Sequence, residues 1–242
     1  MICRADKSDI GQLKLIWRQI FEDDEKVIDK FFSLVYDKSR TYVWREHDEI
    51  ESVLYMIPKG RGVYLYALAT LPRCRKRGIM SSLIEHSLAD ADEAGAEYAF
   101  LIPAEQELCH YYEKFGFDKK MTMLHMTLGE GVDTYGITME EYLAFAGNSD
   151  FLYSDDPVIC EPSLMEFVLY EHISEGHMPV KILYNGMTAG VAVLDGDGRV
   201  MHYVLKKDLR HIINITEDKN HTAIAVRLNG NVPENACGYI PF

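Results

Sequence analysis

The chain has 242 residues, a formal net charge of −13 and 48% apolar residues, enough for one large domain or two small ones with a real core. No run of eighteen apolar residues occurs, which argues against a membrane-spanning helix, and residues 1–12 (MICRADKSDIGQ) hold no apolar stretch of signal-peptide length; the expected compartment is the cytoplasm. The acidic balance argues against a general nucleic-acid binder and is compatible with a cationic substrate such as an amine.

In chain order, residues 8–21 place Leu13, Ile16, Ile20 and Phe21 on one helical stripe, with Ser8 or Asp9 as the cap. A second helix follows over 26–36, carrying Val27, Phe31, Phe32, Leu34 and Val35. TYVWRE and IESVLYMIP then read as two strands joined by the turn HDE, and VYLYALATL as a third strand ended by Pro72. A helix is predicted from about 79 to 94, closed by Gly95. AEYAFLIPA is a buried strand, EQELCHYYEKF a helix ending at Gly116, and MTMLHMTL a further strand. The β-α-β unit over 63–103 implies two neighbouring parallel strands with a right-handed crossover.

Residues 130–160 are less regular, with TMEEYLAFAG as a helix and GNSD and YSDDP as turns; the domain boundary is placed there. Beyond it come a short helix at SLMEFVLYEHI and strands at PVKILYNG, TAGVAVLDG, RVMHYVLK and AIAVRLNG. Asp195 and Asp197 suggest a calcium loop, but Val200 and Lys206 stand where glycine and glutamate are needed, so the segment reads as a turn. The halves share a strand-turn-strand rhythm without a residue-level repeat.

The densest positive charge of this acidic chain, Arg73, Arg75, Lys76 and Arg77, precedes Gly78 and the helix of residues 79–94. Helix N-termini already carry partial positive charge and disfavour cations. A strand, a cationic loop with a glycine, and a helix together make an anion site: first-turn N–H groups point at the loop, and glycine lets backbone approach a ligand. Four cations there should repel one another unless an anion neutralises them.

RKRGIM, residues 75–80, resembles the acyl-CoA-binding signature of the GNAT superfamily of N-acyltransferases, a Gln/Arg-x-x-Gly-x-Gly/Ala pattern between a strand and a helix. Arg75 and Gly78 match its first two fixed positions; Met80 departs, standing where Gly or Ala is usual. CHYYEKFGF, residues 109–117, resembles the aromatic-Tyr-x-Lys-x-Gly-Phe element that follows the next strand in that family. The resemblance covers roughly the first 130 residues and implies an α/β (α+β) fold: a GNAT-like mixed central sheet flanked by helices, with a second, smaller β-rich C-terminal domain. It implies a domain 1–130 that binds acetyl-CoA and transfers its acetyl group to the primary amine of a small molecule or peptide. The implied cofactor-binding residues are Leu71, Arg73, Arg75, Lys76, Arg77, Gly78, Ile79, Met80 and Ser81, the turn amides holding the pyrophosphate. Tyr112 is the implied catalytic acid for the departing thiolate. A splayed strand near Leu68 to Leu71 leaves an amide for the thioester carbonyl.

The chemistry fits: a free thiol has pKa about 8.5 and tyrosine about 10, so tyrosine is protonated at neutral pH and can donate. Glu51, Glu105 and His110 are candidates for the general base. The alternative reading is a non-catalytic acyl-CoA-binding sensor or regulatory protein. His172 and His177 lack ligand partners at metal spacing, so no metal is expected. The five scattered cysteines (Cys3, Cys74, Cys109, Cys160, Cys237) read as reduced thiols. No nucleic-acid or membrane partner is expected, and homodimerisation stays open. Residues 131–242 match no motif: they shape the acceptor cleft, mediate dimerisation, form a degenerate acyltransferase-like half, or resemble a lipid carrier.

Overall fold

The computed structural model describes residues 1–147, 162–233 and 235–236. Most of the turns predicted at GNSD and YSDDP, with Cys160 and Cys237, lies outside them. The backbone divides into two compact units, Met1–Met121 with Ala223–Glu234, and Thr122–Thr222 with Asn235–Phe242. The sequence places its boundary at 130 and does not anticipate the return of residues 223–234 to the first unit.

The first unit runs β1 (Ile2–Arg4), α1 (Ile10–Phe21), α2 (Glu25–Leu34), β2 (Arg40–Glu46), β3 (Glu49–Lys59), β4 (Gly62–Thr70), α3 (Ile79–Glu93), β5 (Tyr98–Leu101) and α4 (Cys109–Glu113). Asp6, not Ser8 or Asp9, caps the start: its side chain accepts from Ser8 N–H, and Asp9 returns the bond to Asp6 N–H, a capping box before a short 3-10 turn. Asp24 caps α2 by accepting from Lys26 N–H. His47 and Asp48 both take positive φ (47° and 64°), the turn that suits the right-handed twist of the β2–β3 hairpin.

β1 to β4 pair antiparallel in sequence order, β5 pairs parallel to β4, and Ile224–Arg227 pair antiparallel with β5. One sheet face takes α1 and α2 through an aromatic cluster, with Trp17–Phe31 centroids 4.6 Å apart and Phe31–Tyr55 5.0 Å. A second cluster joins Tyr42, Leu54, Met56 and Leu65 of the sheet to Leu83 and Ile84 of α3, with Tyr112 and Phe117. The mixed sheet flanked by helices is the fold class expected, with the β-α-β crossover in place. The helix predicted over 105–115 is only α4, preceded by a 3-10 turn at Gln106–Leu108.

The second unit contains most of β6 (Lys119–Leu128), then β7 (Val132–Gly136), α5 (Met139–Ala146), α6 (Pro162–Ser174), β8 (Met178–Tyr184), β9 (Met187–Leu194), β10 (Val200–Leu205), a 3-10 turn (Lys207–Ile212), most of β11 (Ile213–Arg227), and β12 (Asn235–Ala236). Sequence reading misses β7 and the first part of β11. β7 is almost wholly exposed and has no apolar alternation to betray it. The start of β11, INITEDKNHT, is polar and charged, the composition of a loop. Asp195 heads a turn as expected, its Oδ1 accepting from the N–H groups of Asp197 and Arg199 at 2.9 and 2.8 Å.

The backbone carries a repeat that side chains conceal. β1-α1-α2-β2-β3-β4 and β7-α5-α6-β8-β9-β10 have the same element order. β7, β8, β9 and β10 also pair antiparallel in sequence order, as β1 to β4 do. The copies diverge after the fourth strand: α3 follows β4, whereas only a 3-10 turn follows β10. Among the described residues no helix is long and apolar enough to cross a membrane.

Candidate functional site

β4 organises the site. Its register to β3 passes from Tyr55↔Tyr66 to Val53↔Ala69, so Ala67 and Leu68 together face Leu54, and Ala67 has φ 46°. That is a β-bulge, which bends the strand and frees an amide from the ladder. On its other side β4 pairs with β5 only at Val63↔Ala99 and Tyr64↔Phe100. Beyond Tyr64 the parallel strands part, leaving the C-terminal half of β4 outside that ladder. The sequence expects a splayed strand near Leu68 to Leu71. In the structure the Leu71 N–H is already given to Glu51 O at 2.9 Å, so the amides left open lie nearer the bulge.

After β4 the chain makes a 3-10 turn at Pro72–Cys74 and then bends sharply, with φ of 62° at Lys76 and 77° at Gly78. Positive φ at lysine costs on the order of 1 kcal/mol and is seen where surroundings or function demand it. Gly78 is the N-cap of α3; no side chain caps this helix and no acid lies in its first turn. A Cβ built at Gly78 meets nothing within 4 Å. The free first-turn N–H groups therefore face open space, the arrangement that receives phosphate.

The four cations divide into two pairs with different roles. Arg73 is bound to Glu49 at 2.8 Å, and Arg77 bridges Glu46 at 2.7 Å and Glu51 at 3.1 Å. These two are neutralised from within the protein, so the expected repulsion among four cations is not what this loop experiences. The Arg77 guanidinium holds the Glu46 carboxyl below its ordinary pKa. Arg75 donates through Nε to Thr70 O at 3.2 Å, and neither it nor Lys76 has a carboxylate partner among the described residues.

Ile79 is buried, while Met80 packs its side chain against the core around Leu83 and Tyr112. The residue that departs from the GNAT pattern thus faces the core. Ser81 lies 3.2 Å, Oγ to OH, from Tyr111, a contact the sequence does not reveal. Tyr112 is 9% exposed beside Phe117 and Leu101. Burial pushes its pKa up to about 12, so it keeps its proton at neutral pH. Its hydroxyl has no hydrogen bond to a described residue, which leaves it free to donate.

Of the three candidate bases, Glu51 is tied to Arg77, Glu105 is exposed, and His110 lies at the surface 3.2 Å from Glu113. None of them stands out by geometry. Cys74 sits buried in the turn, and burial raises its thiol pKa, which leaves it an inert packing group. Cys3, Cys74 and Cys109 are free thiols. In the second unit the fold gathers His172 and His177 with Glu175, a grouping that spacing alone does not suggest. Burial, then the nearby imidazoles of His202 and His177, draw the His172 pKa down to about 3, so this ring is neutral.

No curated protein matches the chain. Among solved structures, it superposes on a conserved protein of unknown function from Enterococcus faecalis, described as a probable N-acyltransferase, with TM-score 0.67 and 11% identity over 95% of this chain and 72% of the other. A GCN5-related N-acetyltransferase from Anabaena variabilis gives 0.62 and 13%, over 95% and 73%. A tandem GNAT protein of the clavulanic acid biosynthesis pathway gives 0.56 and 12%, over 96% and 99%. These likenesses establish the fold. The acetyltransferase (GNAT) domain family matches residues 2–119, and with the bulged, splayed β4 and the uncapped α3 in that segment, residues 2–119 are a GNAT acetyltransferase domain.

Proposed function

We propose that the first unit transfers an acetyl group from acetyl-CoA to a primary amine of a small molecule or peptide. The observation that carries this reading is the run from the β4 bulge to the open N-terminus of α3. It places a free strand amide and a phosphate-receiving turn within one continuous segment. The N–H groups of residues 76–81 hold the pyrophosphate, with Arg75 and Lys76 adding charge. Arg73 and Arg77 fix the loop through Glu49, Glu46 and Glu51. A β4 amide between Ala67 and Thr70 accepts the carbonyl oxygen and favours the charge that develops on it.

Acetyl-CoA supplies an activated acyl carbon. As the amine nitrogen bonds to that carbon and the C–S bond breaks, Tyr112 gives its hydroxyl proton to the sulfur, and the amine proton leaves to water. The raised pKa of Tyr112 keeps the donor loaded across the physiological range. The second unit is an acyltransferase-like half without the cofactor turn, a reading supported by its repeated element order and by the likeness to a tandem GNAT protein. Release of free thiol from acetyl-CoA, measured with a panel of primary amines, tests the reaction. Amine-dependent release is expected. Binding of acetyl-CoA without release by any amine would leave a non-catalytic sensor instead.

A further inference from the structure

α6 ends in a Schellman motif: His177 N–H bonds to His172 O at 2.9 Å, Gly176 N–H to Ile173 O at 3.1 Å, and Gly176 has φ 89°. This turn brings the third residue from the helix end against the second residue beyond it, a pair that is commonly apolar. Here both are histidines, and their Nδ1 atoms stand 3.1 Å apart. Glu175, between them in sequence, puts Oε2 3.6 Å from His177 Nδ1. The three ligand atoms all lie within 4.8 Å of one another.

We propose that His172, Glu175 and His177 form a binding site for a divalent cation of the zinc class in the second unit. Two ligands each about 2.0 to 2.1 Å from a tetrahedral ion lie about 3.3 Å apart, and the observed 3.1 and 3.6 Å bracket that spacing. Two imidazole nitrogens and one carboxylate suit a borderline ion and not magnesium or calcium, which prefer oxygen ligands. His172 is wholly buried and its Nε2 makes no hydrogen bond, so the ring is held by packing with its Nδ1 toward the site. The His177 side chain is 18% exposed and that of Glu175 38%, which gives an ion a path in and leaves a fourth position for water. Bound there, the ion cross-links the end of α6 to the residue that opens β8. The site shares no residue with the acyl-transfer machinery and does not depend on that reading.

The test is calorimetric titration of the full chain, first stripped with a chelator, with zinc chloride and separately with magnesium chloride. One zinc per chain and no magnesium uptake are expected. His177→Ala should abolish zinc uptake, and Glu175→Gln should weaken it by about tenfold or more. Because His172 is buried, its replacement could unfold the unit, so the two more exposed positions carry the test. His110→Ala, which breaks the exposed His110–Glu113 pair, should leave uptake unchanged. Failure to bind zinc, or zinc uptake that survives His177→Ala, would reduce the two histidines to an N–H···N hydrogen bond that closes the helix.

Discussion

Both units build four antiparallel strands after two helices, yet only one of them can receive a phosphate. In the first, the fourth strand bulges near its C-terminal end at Ala67–Leu68, parts from β5 and leads into a 15-residue helix with an uncapped N-terminus. In the second, β10 stays in regular register with β9 from His202↔Val193 to Leu205↔Gly190, and a 3-10 turn carries the chain straight into β11. The strand framework is thus common to both, and function is set by what happens in the dozen or so residues after the fourth strand. A sheet supplies position; the free amides at a bulge and at a helix start supply chemistry.

Glycines sharpen the contrast. At Gly190 a Cβ would stand 2.2 Å from Val204 O and 2.9 Å from Leu205 Cα, both backbone atoms. Gly190→Ala should therefore destabilise the protein by about 3 kcal/mol or more by overpacking β9 against β10, read as a lower urea midpoint. At Gly78 space is open but φ is 77°, so Gly78→Ala carries only the left-handed strain of roughly 1 to 2 kcal/mol. If the two substitutions cost the same stability, the distinction between a packing glycine and a ligand-facing one fails.

Smaller effects should follow in the first unit. Tyr112→Phe should lower turnover by about tenfold or more with little change in acetyl-CoA affinity, because the hydroxyl acts on the leaving group; unchanged turnover would show that another acid serves. Replacing Arg75 and Lys76 together by Gln should weaken acetyl-CoA binding several-fold, by about 1 kcal/mol, and flatten its salt dependence. Arg73→Gln should leave affinity nearly unchanged, since Arg73 is already engaged by Glu49. Equal losses from both changes would mean that the loop acts as one undivided patch.

Alkaline pH provides the subtlest test. Burial raises Tyr36 and Tyr112 to about 12, against about 10 for an exposed tyrosine. Between those values the folded chain binds more protons than the unfolded one, so stability is complete below pH 10 and falls as pH rises toward 12. Urea unfolding across that window should show the loss, and Tyr112→Phe should make it shallower. An unchanged slope in that variant would mean that Tyr112 titrates as an exposed tyrosine.

The sequence makes the first unit largely legible because its elements are amphipathic and its turns carry glycine or proline. α1, α2, β2 to β5 and α3 follow from apolar spacing, and the anion turn from the conjunction of cations, Gly78 and a helical stripe. The bulge at Ala67 is not legible, since alanine with positive φ carries no compositional mark. The division of the four cations was hidden because Glu46, Glu49 and Glu51 lie on neighbouring strands, far from the loop in sequence. In the second unit, β7 and the start of β11 are too polar to declare themselves. His172, Glu175 and His177 were invisible as a group because a Schellman turn, and not a regular helical or strand spacing, brings them together.

The central claim is that one turn, residues 75–81, and not its topological counterpart after β10, holds the cofactor. Calorimetric titration of the full chain with acetyl-CoA tests it most directly. The account predicts one site per chain, lost or weakened in the Arg75→Gln, Lys76→Gln double variant. Two sites per chain, or a single site indifferent to that double variant and to Gly78→Ala, would contradict it.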